Sequence, residues 1–112
     1  MTPEEAAQDA LAECRARIDE VDRRIVGLLN ERVLVVQRIG EIKQNSGLNV
    51  YEPNREKKVI ENVVDANILG TDRGPLPDEA AVRIFERIMD EMRKIQRDRM
   101  RARWLRSRTV SW

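Results

Sequence analysis

The run LLNERVLVVQRIGEIK, residues 28–43, carries a permanent charge where a hydrocarbon belongs. Counting back from Ile42 by alternating threes and fours gives Ile39, Val35, Arg32, Leu28, Ile25, Val21, Ile18, Cys14 and Leu11. That is a heptad-like helix seam in which Arg32 is the one charge. Burying a guanidinium is costly unless it is paired, and removing the partner of a buried ion typically costs about 3–5 kcal/mol. Glu31 and Glu41 lie on the same helix but face elsewhere, so an anionic ligand accounts for Arg32 best. The alternative is a side chain that snorkels to solvent.

Other polar residues share faces with apolar ones. Lys43 follows Arg32 by eleven residues, three helical turns or about 16 Å along one face, a spacing at which two long cations can grip one small anion. Arg15, beside Cys14, lies seventeen residues from Arg32, about 25 Å along a rigid helix and too far to share a small ligand within one chain. In a symmetric dimer of antiparallel long helices, Arg15 of one chain reaches the middle of the other. Glu56 shares a face with Val59, Ile60 and Val63, beside Arg55, and Gln96 shares one with Phe85, Met89 and Met92. For each of these, a solvated surface side chain is the competing reading.

The elements that must hold these residues are helical. Thr2 suits a cap, Pro3 the first helical position, and Glu5 the third position of a capping box. The helix then runs to about Ser46–Gly47, roughly 40 residues and about 60 Å, against about 30 Å for the diameter of a domain of this size. Its seam therefore needs a cover, and a second copy of the chain is the economical one. After the loop NSGLNVYEPN, Pro53 opens a second helix expected to reach Ile68, with Val59, Ile60, Val63, Val64 and Ile68 inside. LGTDRGPLP is a connection rich in turn residues. Asp78 is expected to cap a third helix whose inner face is Ala81, Ile84, Phe85, Ile88, Met92 and Ile95. The expected fold is all-α, with one very long, one short and one medium-long helix forming an intertwined antiparallel homodimer. Residues 1–98 form the helical domain and 99–112 a basic tail or helix extension.

Composition agrees with long amphipathic helices: 37% of the 112 residues are charged and only 4% aromatic. Zero His and one Cys exclude an internal disulfide and remove the commonest acid–base group. Cys14, on the seam, reads as a small core side chain. Net charge is +1, yet the last sixteen residues hold six Arg against one Asp. Nucleic-acid binding is disfavoured, because the rest of the chain is acidic and no recognition motif is visible. The acidic opening MTPEEAAQDA has no hydrophobic signal segment and no apolar run reaches membrane length, so a cytoplasmic location is expected.

Three segments, CRARIDEVDRRIVGLLNERVLVVQRIGEIK, YEPNREKKVIENV and IFERIMDEMRKIQ, resemble the all-helical (AroQ-type) chorismate mutases in order and spacing over about residues 11–98. The resemblance implies a Claisen rearrangement of chorismate to prephenate that needs no cofactor, metal or nucleophile. It implies that Arg32, and Arg15 of the partner chain, hold the substrate carboxylates and that Arg55 is a third arginine of the site. Lys43 and Gln96 would donate to the breaking ether oxygen. Glu56 would receive the ring hydroxyl, with Glu52 contributing nearby. Met92 stands where several relatives have a small or hydroxyl residue, which implies a lost hydrogen bond and a narrower pocket. Isochorismate–pyruvate lyase, on the same fold, and a non-catalytic helical module are the alternative functions. For the tail, a solvated helix end competes with docking of Trp104, Leu105 and Trp112 on a pathway enzyme or on the chain's own dimer.

Overall fold

The computed structural model describes residues 1–109, so Trp112 lies outside the described residues. Three helices, α1 (Pro3–Ser46), α2 (Pro53–Asp65) and α3 (Asp78–Thr109), are joined by a loop and by a two-stranded ribbon, β1 (Ile68–Leu69) and β2 (Asp72–Arg73). The chain divides into two compact units, Met1–Val35 and the part from Val36 on.

The first unit is helix from Pro3 onward. The Glu5 backbone N–H donates to Thr2 Oγ1 at 3.1 Å, the expected cap. Along it Leu11, Ile18, Val21, Ile25, Leu28 and Val35 are each 45–62% exposed. Cys14 is exposed as well, so it is no core side chain within this chain.

In the second unit α1 ends at Gly47, whose φ of 69° only glycine adopts without strain. The Leu48 N–H donates to Lys43 O at 2.9 Å, closing a Schellman turn. Pro53 opens α2 as expected. Val59, Ile60, Val63 and Val64 are all half-buried, as one face of a helix. In α3, Ala81, Met89 and Met92 are buried, with Phe85, Ile88 and Ile95 half-buried beside them.

Three further expectations differ from the structure. The second helix stops at Asp65, and Ile68 lies in the ribbon, 54% exposed. The reason is Asn67: its Nδ2 donates to Leu76 O at 2.7 Å and to Asp78 Oδ1 at 2.8 Å, while its carbonyl accepts from Gly74 N–H at 3.1 Å. A Cβ at Gly74 would stand 2.7 Å from Asn67 Oδ1, so the close return depends on that glycine. Ile84 is 50% exposed because it lies about 90° round the helix from the mean direction of the buried face. Asp78 is the first residue of α3, but its carboxylate accepts from Asn67 and from Arg73 Nη2. The Asn67 hydrogen bond, then the Arg73 guanidinium, hold that carboxyl below its ordinary pKa.

Candidate active site

The expected site residues fall in both units. Arg15 and Arg32 belong to the first: Arg15 is exposed, whereas Arg32 is half-buried between stripe neighbours Leu28 and Val35, 62% and 59% exposed. Lys43, Glu52, Arg55, Glu56, Met92 and Gln96 belong to the second.

Within the second unit the end of α1 meets the start of α2. Lys43 Nζ, on a side chain only 12% exposed, lies 3.0 Å from Glu52 Oε2 and donates to Val50 O at 3.1 Å. Two of the three ammonium protons are thus engaged, and the amine is fixed with one to spare. Glu52 holds the N-cap position of α2 without capping it, because its carboxylate serves Lys43 instead. Arg55, in the first turn of α2, is exposed.

Glu56, one residue on, turns towards α3. Arg93 Nη1 donates to both Glu56 oxygens, to Oε2 at 2.6 Å, and Nη2 donates to Asp90 Oδ1. Partial burial by itself would lower the Arg93 pKa. The Glu56 carboxylate and then Asp90 together outweigh it, and the guanidinium is held above its ordinary value. Each Glu56 oxygen keeps a second lone pair, so a ligand hydroxyl can still be received.

Gln96, on α3 just before the arginine-rich stretch, is half-buried, and its Nε2 donates to Val36 O on α1 at 3.2 Å. One amide proton is used and one remains. Met92, a turn earlier on α3, is a core side chain, 6% exposed. A shallow open groove is lined by Gln37, Gly40, Gln44, Gln96, Arg99 and Met100, together with Glu41 and Arg103. Of the expected site residues only Gln96 borders it.

Sequence reasoning missed Arg93 and the Val36 carbonyl. Arg93 carried a faint signal, since it precedes Gln96 by three residues and so flanks the same face. A backbone carbonyl carries none.

The arrangement offers ammonium, guanidinium, carboxylate and amide groups on helices. Groups of these kinds can hold and polarise a small polar molecule. The chain belongs to the type II chorismate mutase family, which matches residues 14–97. Over 83 residues it is 39% identical to the bifunctional chorismate mutase/prephenate dehydratase of Aquifex aeolicus, a match covering 72% of this chain and 22% of that protein. This chain thus spans about a fifth of the bifunctional relative's length. It is 28% identical over 97 residues to the chorismate mutase of Methanocaldococcus jannaschii, covering 80% of this chain and 86% of that one. Among solved structures, form II of the Thermus thermophilus chorismate mutase superposes with a TM-score of 0.72 at 31% identity, covering 79% and 94% of the two chains.

Proposed function

We propose that this chain converts chorismate to prephenate, on the route to phenylalanine and tyrosine, by an intramolecular Claisen rearrangement. The observation that carries the reading is the pair of prepared donors. Lys43 and Gln96 are each anchored through a backbone carbonyl and each retain an N–H. The reaction is pericyclic, so the protein has only to hold the substrate in its compact shape and stabilise negative charge on the breaking ether oxygen. Lys43 and Gln96 supply that stabilisation. Arg32 and the partner copy's Arg15 clasp the two carboxylates through charge-assisted forks, and Arg55 adds a third guanidinium. Glu56 receives the ring hydroxyl, Glu52 supports Lys43, and Met92 narrows the pocket.

The working unit is an intertwined homodimer in the cytoplasm. The apolar row on the first unit supports this, because a row so exposed marks an interface. Relatives that fuse the same segment to prephenate dehydratase support a pathway enzyme as a further partner. The arginine-rich end of α3 and Trp104 are its docking surface. Among the described residues no helix is long and apolar enough to cross a membrane.

Incubation of the purified chain with chorismate, beside a parallel incubation with isochorismate, tests the function. Appearance of prephenate in the first and no pyruvate in the second is expected. Pyruvate from isochorismate alone would make the chain a lyase, and inertness towards both, with or without pathway enzymes, would leave a non-catalytic module.

A further inference from the structure

Gly40 is the one buried residue in α1, and it sits where a side chain would ordinarily favour the helix. A Cβ built there would lie 3.3 Å from Gln96 Nε2, with Gln96 Cγ at 3.9 Å and Cδ at 4.0 Å. In a helix the Cα–Cβ bond tilts towards the N-terminus, so the side chain of residue 40 would cover the preceding turn. That turn presents the carbonyl of Val36, four residues earlier, on which the Gln96 amide is seated at 3.2 Å.

The seat also decides which way the amide faces. Were the Gln96 oxygen and nitrogen exchanged, two carbonyl oxygens would confront each other, so the NH₂ end is the one that faces Val36. A nitrogen so held has its second proton fixed in direction as well. By contrast Gly27, in the same helix, has nothing within 4 Å of its missing Cβ.

We propose that Gly40 is a positioning residue: by lacking a side chain it lets the Val36 carbonyl hold the Gln96 amide with one N–H aimed at the substrate. This inference rests on the reading of Gln96 as a donor to the ether oxygen. Its signature is that activity and stability move apart. Alanine at position 40 improves helix propensity while displacing the amide by a few tenths of an ångström, and donor geometry is what the transition state reads.

The test compares Gly40→Ala and Gly27→Ala with the native chain, measuring chorismate kcat, KM and Tm. For Gly40→Ala, kcat is expected to fall at least about tenfold, with KM changed less than about threefold and Tm not lowered. Gly27→Ala should keep the native kcat. In a Gln96→Ala background, adding Gly40→Ala should cost no further activity, because no amide remains to displace. A Gly40→Ala chain within about twofold of native kcat overturns the inference and leaves the activity reading standing. An inert native chain overturns both. Should Gly40→Ala fail to fold, the Gly40→Ala/Gln96→Ala chain, which gives the methyl group room, decides the matter. Native-like melting of the pair supports the contact, and its absence refutes it.

Discussion

In the role proposed for it, Gln96 brings a neutral amide to a task that a carboxyl group can perform only when protonated. The native activity should therefore stay level between roughly pH 6 and 9, where an amide does not titrate. Gln96→Glu should confine activity to acid solution, with the rate declining as pH rises above the carboxyl pKa. Steady-state kcat measured across that range checks both, and a steep loss in the native protein would remove Gln96 from its role. Arg32 is the other residue on which the proposed site depends. Arg32→Ala should lower kcat/KM by about a hundredfold or more while circular dichroism keeps its helical signal.

Among the charge ties between elements of the second unit, two are open to direct test. Asp78 accepts from Asn67 and Arg73, which pins the ribbon to the start of α3. Its carboxyl is depressed in the folded state, so its contribution is present above the unfolded pKa, about 4, and is lost as pH falls below that value. Asp78→Asn should flatten this part of the acid limb in thermal melts between roughly pH 2 and 5. An unchanged acid limb would show that the carboxyl is not depressed. Arg93 is the second tie, joining α2 to α3 through Glu56. Both side chains retain some solvent, at 39% and 27% exposure, so Arg93→Ala should cost only about 1 kcal/mol, read by urea unfolding.

At the scale of the whole molecule, the seam of the first unit has no buried residue, and a second copy is the cover assigned to it. Ile25→Glu should yield monomers by light scattering and abolish turnover. Mixing chains tests the shared site more sharply. An Arg15→Ala chain and an Arg32→Ala chain, each nearly inert alone, should recover up to about a quarter of native activity when co-refolded. Half of the dimers are then mixed, and each mixed dimer keeps one intact site. If both arginines acted within one chain, every site would lack one of them and no activity would return.

The residues themselves fixed the helices and flagged the odd charges. Thr2, Pro53 and the period of the α1 stripe depend on neighbours a few positions away, and local contacts are written in local sequence. Arg32, Lys43 and Gln96 stood out because each breaks or borders an apolar pattern. Folding alone decided the rest. Asn67 ended α2 early through partners nine and eleven residues on. Glu56 met Arg93 across thirty-seven positions, and Gln96 met the Val36 carbonyl across sixty. Backbone acceptors and missing side chains leave no periodic mark, so the seat of the amide is visible only once two distant helices lie side by side.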